Sequence, residues 1–490
     1  MLRCATNDHI AARDVEAPFQ DGLGHDVHRG RAGDRDRVRA HFVARSPLAC
    51  RWPRATQSAI RGAERGHQVS KGSYRLSRRK FLLASSAAVA AACAPTSGGA
   101  TPSVGAATST PPTPQTIKIG QILPFSGVYT DLGNSMKRAA DLYIKLNPTI
   151  ANRPVKLLYA DEANDATKAK TAATQFIEQD QVDVVMGIVP TPIAYALRDV
   201  FHNAQMVYIG TNAGGDWLTR TAGSIPNQPS SKSPYIFRAA FSSWQISEPI
   251  GEYLASKKGL KEVQLSYANY GFGQESARDF TEGFRKQGGA IKGDDVKPPL
   301  GNSDFVSFVQ QIKNNPTKAT YHFYSGADAQ KFLTTWDQLG MKAAGYVLFG
   351  AGFLTEQDVL ENAAAAKAAE GAITSLHWAV TLDNPENKAF VDAYQKEYSK
   401  LPDVFAVQAW DGMRAFDEAV KALKGETSDK QKLIRALEDV KFNSPRGAFE
   451  FDKDTHNVIH DMYIRQVQQQ AGKYVNVIID KVGRVTDPGK

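Results

Sequence analysis

The stretch "VDVVMGIVPTPIAYALRDVFHNA", residues 182–204, decides the fold. Its first eight residues are apolar except for Asp183 and show no polar–apolar alternation. A short run of that kind reads as a strand buried on both faces, as in a parallel sheet covered by helices. The periodicity then changes. Thr191 precedes Pro192, and both suit a helix start: Thr caps free N–H groups, and Pro favours the first helical position. "PIAYALRDVFHNA" repeats apolar residues three and four apart, the pattern of an amphipathic helix.

The same alternation runs outward in both directions. Upstream, "IKIGQIL" (117–123) reads as a strand, "NSMKRAADLYIKLN" as a helix, "VKLLYADE" as a strand and "DATKAKTAATQFIEQ" as a helix. Downstream, "MVYIG" is a strand, and the rhythm resumes after residue 235 with "YIFRAA", "EVQLSYA", "ATYHFYS" and "YVLFG" separated by helices. Residues 385–440 predict three helices, and "GAFEFD", "DMYIRQVQ" and "YVNVIID" close the chain as strands. Strands alternating with helices imply parallel sheets with helices on both faces. The ordered part, from about residue 116, has the length of two domains. The expected fold is α/β, with two doubly wound lobes.

The first 115 residues follow different rules. Residues 1–70 hold twelve Arg and no Lys, whereas from Ala94 onward there are thirty Lys and twelve Arg. This segment has neither helical nor strand periodicity. It is expected to be a non-native extension, with translation starting near Val69, or else a disordered basic arm. Residues 71–93 read as an export signal. Arg78, Arg79 and Lys80 precede twelve apolar or small residues, too few to span a bilayer. "SRRKFL" resembles the twin-arginine motif, and "AAAC" resembles a lipoprotein cleavage box that makes Cys93 the lipidated terminus. Residues 94–115, rich in Ser, Thr, Pro and Gly, form a flexible tether.

Charge and motifs narrow the function. The net +8 of the chain comes from residues 1–93, with 17 basic and 8 acidic residues; the remainder holds 42 basic and 43 acidic. The body therefore gives no electrostatic reason to bind nucleic acid. Its cysteines end at Cys93, which excludes disulfides and thiol chemistry. No G-x-S-x-G, phosphate loop, H-E-x-x-H or paired C-x-x-C occurs, so an enzyme is not expected. His456 and His460 lie at metal-like spacing, but in a turn between strands, and no metal or cofactor is implied.

Seven pieces in order carry a family resemblance: "IKIGQILPFSG", "YADEANDATKAKTAATQFI", "VDVVMGIVPTPIAYAL", "PYIFRAAFS", "YGFGQESARDFTEGF", "FLTTWDQLGMK" and "GAFEFDKDTHN". Over residues 116–482 the chain resembles the leucine/isoleucine/valine-binding proteins, substrate-binding proteins of ABC importers with the type I periplasmic-binding fold. The resemblance implies three crossings between lobes, placed near residues 240, 372 and 450. Lobe I is then 116–239 plus 373–450, and lobe II is 240–372 plus 451–482. It also implies a ligand in the cleft between the lobes, hinge closure around it, and delivery to a membrane permease. The chain would be exported, monomeric and held at the outer face of the membrane by Cys93.

Carried over residue by residue, the resemblance puts the ligand carboxylate at Thr191, with Val189 beside it. A helix start favours anions; the competing reading is an ordinary cap. The second binding loop falls on "IGTNAGGDW", with Asn212, Ala213 and Gly214 in the cleft. Gly214 stands where amino-acid binders carry a hydroxyl. Tyr270 matches the tyrosine of Y-G-x-G, and Leu132 and Phe405 match positions that touch the ligand body. Trp244 is expected as an aromatic wall, with a buried hinge residue as the alternative. The acidic partner of a ligand ammonium falls at Ala351 or Gly352, where no carboxylate stands, and a further pocket tyrosine falls on Ala327. A buried ammonium without a partner is costly. A carboxylate with an apolar or aromatic body therefore fits better than leucine, with Trp244, Tyr270, Phe353 and Phe405 around it. Asp131, Asp216 or Asp328 remain as displaced ammonium partners. The rival function is a sensor subunit that hands its loaded form to a separate receptor.

Overall fold

The computed structural model describes residues 115–220 and 232–489. The extension, Arg78, Arg79, Cys93 and all but the last residue of the tether lie outside them. Apolar strands with neighbours on both sides build the first sheet. Its strands are β1 (Ile117–Leu123), β2 (Thr149–Ile150), β3 (Arg153–Asp161), β4 (Val184–Gly187), β5 (Tyr208–Gly210) and β6 (Ile236–Arg238), in the order β2-β3-β1-β4-β5-β6. All pairs are parallel except the β2–β3 hairpin. The strand expected over 182–189 ends at Gly187. Ile188 has φ 62, a left-handed conformation unfavourable for a β-branched residue, and it turns the chain off the sheet.

The second sheet holds β7 (Glu262–Tyr267), β8 (Ala290–Ile291), β9 (Ala319–Phe323), β10 (Val347–Ala351), β11 (Ile373–Leu376), β12 (Lys441–Ser444), β13 (Gly447–Phe451), β14 (Val458–Gln470) and β15 (Lys473–Val485). Their order is β12-β13-β14-β11-β10-β9-β7-β8, and β15 pairs antiparallel with β14 off this path. The β12–β13 hairpin packs on the core of lobe I, while β14 lies in lobe II, so the ladder runs from one lobe into the other.

One boundary differs from the sequence reading. Residues 373–376 do not open the second segment of lobe I. As β11 they pair with β10 through Phe349↔Ile373 and with β14 through Ile373↔Gln466, inside the lobe II sheet. Four residues after an Ala-rich helix are too few to show a periodicity. The crossings therefore fall at 239–242, 377–384 and 452–457.

Buried arginines tie these crossings together. Arg446 donates to the carbonyls of Ala240 (2.7 Å) and Ala239 in the first crossing, and pairs with Asp411 at 2.7 Å. Its Nη1 also lies 3.2 Å from His460 Nδ1, and His460 stacks on His377 of the second crossing, ring centres 4.8 Å apart. Burial, and then the charge of Arg446, hold both imidazoles well below their ordinary pKa. The metal-like spacing of His456 and His460 has no spatial counterpart. His456 stacks on Phe237 and bonds Glu438 instead. Among the described residues no helix is long and apolar enough to cross a membrane.

Candidate functional site

The carboxyl ends of β1, β4 and β5 in lobe I face those of β7, β9 and β10 in lobe II. Open α/β sheets bind ligands at such ends. Between them lies a small cavity of about 20 Å³, room for about one water molecule, walled by residues of both lobes. Several helices start at its wall, which carries Tyr129, Thr191, Tyr270, Ser325 and Phe405 at or beside those starts. Five phenylalanines supply the apolar surface: Phe241, Phe272, Phe323, Phe353 and Phe405. Their rings form a connected cage. Phe272 lies 4.7 Å from Phe323, Phe241 5.1 Å from Phe353, and Phe353 stacks on Phe405 at 5.6 Å.

Thr191 is placed by a local surprise. Pro190, not Thr191, occupies the cap position, and the helix Thr191–Asn203 starts at Thr191 itself. The hydroxyl is thus released from capping. It is buried and has no hydrogen-bond partner within the protein, although its residue lines the cavity. Val189, the next wall residue, donates its N–H to Glu162 Oε1 at 3.1 Å. Glu162 is fully buried, and desolvation pushes its carboxyl up to about 8. Asn212 donates to Gln408 Oε1 at 2.8 Å, and Gln408 reaches His377, so this wall is tied to the crossings. Tyr129 and Tyr270 join their hydroxyls across the cleft at 3.0 Å.

Eight residues expected in the site line this cavity: Thr191, Val189, Asn212, Gly214, Tyr270, Leu132, Phe353 and Phe405. Three do not. Ala213 donates its N–H to Ile188 and packs its methyl into the lobe I core. Trp244 donates its N–H to Asp216 at 3.0 Å, and its side chain lines an outer groove with Tyr253 and Val482. Gly352 is packed under Arg465, whose Nη2 bonds its carbonyl at 2.9 Å. A Cβ there would meet Arg465 at 2.5 Å and Leu376 at 2.6 Å, so the position has no room for a carboxylate. Gly214 is explained similarly, because a Cβ would meet Phe241 at 2.3 Å and Phe272 at 2.6 Å. A side chain at 214 and the phenylalanine cage exclude one another.

None of the residues lining the cavity is charged. The displaced ammonium partners are engaged elsewhere. Asp131 is exposed, Asp216 pairs with Arg278 and Arg220, and Asp328 accepts from the Gly301 N–H at 2.8 Å. The sequence reading missed Tyr129, Phe241, Phe272, Phe323 and Ser325 in the wall. Phe272 lies within "YGFG", two residues after Tyr270, and was the nearest to detection.

Two doubly wound lobes joined by three crossings, with a cavity between them, define a cleft-binding protein of the type I periplasmic class. The chain belongs to the periplasmic binding protein family, in its leucine/isoleucine/valine-binding branch, and the family model matches residues 116–473. It is similar to a solute-binding protein of an ABC transporter from Rhodopseudomonas palustris, solved in complex with 3,4-dihydroxy benzoic acid. The two are 31% identical, with a TM-score of 0.71, over 76% of this chain and 99% of that one. A second R. palustris solute-binding protein, in complex with benzoate, is 31% identical over 76% of this chain and 98% of that one, with a TM-score of 0.69. The Leu/Ile/Val-binding protein homolog 6 of Brucella melitensis is 28% identical over 76% of this chain and 93% of its own length. The protein is thus a substrate-binding component of an ABC transporter and acts outside the cytoplasm.

Proposed function

We propose that this protein captures a small aromatic carboxylate and hands it to a membrane permease. The observation that carries the reading is the wall itself: five phenylalanines, no charged side chain, and the unpartnered Thr191 hydroxyl at a helix start. The acid docks at Thr191, where the helix end favours negative charge. The ring fills the cage, where aromatic pairs add to simple area burial. An amino acid would bring a buried ammonium to a wall without a carboxylate. Similarity to two solved proteins that hold benzoate and 3,4-dihydroxy benzoic acid supports the same class. Export through Arg78 and Arg79, with anchoring at Cys93, completes the proposal. Palmitate labelling should be lost in Cys93→Ala.

A thermal-shift panel of benzoate, hydroxybenzoates, hydroxycinnamates and leucine tests the ligand class. A ligand at 100 times its Kd adds about 2.7 kcal/mol of stability. The aromatic acids are expected to raise the Tm and leucine to leave it unchanged. A shift with leucine alone would overturn the reading. Thr191→Val, nearly the same shape without the hydroxyl, should weaken benzoate about tenfold or more, since a hydrogen bond to a charged group is worth roughly 1.5–3 kcal/mol.

A further inference from the structure

We propose that Glu275 is an affinity-setting residue outside the cavity: it clamps the two lobes together and scales the affinity for every ligand by one common factor. Its affinity arm rests on the ligand-capture reading above. Glu275 lies in the lobe II helix Gly271–Lys286. Its Oε1 accepts from the Tyr195 hydroxyl at 2.7 Å, and its Oε2 accepts from the Asp216 backbone N–H at 2.7 Å. Both donors belong to lobe I, so both carboxylate oxygens are bonded across the cleft. One turn further along the same helix, Arg278 donates to the Asp216 carboxylate and lies over the Trp217 ring at 5.5 Å. Glu275 is 8% exposed and Asp216 0%, so the clamp is shielded from the solvent screening that weakens surface pairs. None of these residues lines the ligand cavity.

The Glu275 and Arg278 contacts across the cleft are therefore separate from the ligand contacts, whereas Tyr129 and Tyr270 both line the cavity and bond across it. The cavity is built from both lobes, so a ligand completes its contacts only in the closed form. Its apparent Kd is the intrinsic value divided by the closed fraction. A residue bonded only across the lobes changes that fraction and leaves the intrinsic term alone. A wall residue such as Thr191 changes the intrinsic term and hence the ratio between ligands.

The test titrates the full chain with benzoate and 4-hydroxybenzoate, as wild type, Glu275→Ala, Glu275→Gln and Tyr195→Phe. Glu275→Ala is expected to weaken both acids by about tenfold or more, with their ratio unchanged, since it removes two buried hydrogen bonds across the cleft. Glu275→Gln keeps one acceptor and should fall between. A second readout needs no ligand: amide hydrogen exchange. In Glu275→Ala, segments 188–195 and 268–275 should exchange faster while β1 and β9 keep their protection. A changed ratio between the acids, or unchanged exchange, overturns the clamp. If neither acid binds the wild type, the ligand reading fails, and exchange alone decides the clamp. Should Glu275→Ala not fold, Tyr195→Phe, which deletes one hydroxyl, carries the same two readouts.

Discussion

Replacing Arg446 by alanine is expected to lower the unfolding free energy by about 3–5 kcal/mol, the usual loss when one partner of a buried ion pair is removed. Arg446 and Asp411 are both fully buried, and they pair at 2.7 Å. Without the guanidinium, Asp411 keeps only the Ser444 hydroxyl at 2.8 Å, and the Ala239 and Ala240 carbonyls lose a donor. An uncompensated buried charge and orphaned carbonyls all act in the same direction. Urea unfolding at neutral pH measures the loss. The double variant Arg446→Met with Asp411→Leu should regain much of it, because the charge that needed a partner is gone. A single-variant loss below about 1 kcal/mol would show that water reaches Asp411. The position matters because Arg446 bonds the first crossing and, through His460 stacked on His377, reaches the second.

Glu162→Gln is expected to stabilise the protein, increasingly so as the pH rises. The Glu162 carboxyl titrates near 8 in the folded chain because burial disfavours its charge, against 4.5 for an ordinary glutamic acid. Below pH 4.5 both states hold the proton, and the residue is neutral for stability. Between pH 4.5 and 8 the unfolded chain releases its proton and the folded chain does not, so stability falls as the pH rises. Above pH 8 the penalty is complete, on the order of 5 kcal/mol at about 1.4 kcal/mol per unit. Glutamine keeps the acceptor for the Val189 N–H without the titration. The Tm difference between variant and wild type should therefore be near zero at pH 4 and widen steadily to pH 9. Parallel Tm profiles would show that Glu162 is hydrated and titrates normally. Since Val189 lines the cavity, the same variant should leave benzoate affinity nearly unchanged at pH 6, where Glu162 is protonated.

Much of the fold was legible because it follows from backbone period. β1 runs over the predicted residues, 117–123, and the helix predicted from Pro192 starts one residue earlier, at Thr191. β11 was not legible, being four residues long and visible only through its partners β10 and β14. Reading helix starts and loops after strands found Thr191, Asn212, Gly214 and Tyr270 in the cavity wall but missed Tyr129 and Ser325, which also sit beside helix starts. It failed at Trp244, which sits just past a crossing. There a small change of chain direction sends a side chain into the cleft or out of it, and here the Trp244 N–H bonds Asp216 and the ring faces the outer groove.

The sequence by itself determined two α/β lobes, a hydroxyl at the helix start of residue 191, and the lack of an acid at 351 and 352. Each of these depends on residue type and spacing within one segment. The tertiary structure alone decided that Phe241, Phe272, Phe323, Phe353 and Phe405 form one cage, that Gly214 is needed beneath it, and that Glu275 bridges the lobes. Those contacts join segments far apart in the chain. Periodicity says which face of an element is apolar; only the packing of one lobe against the other says which apolar faces meet.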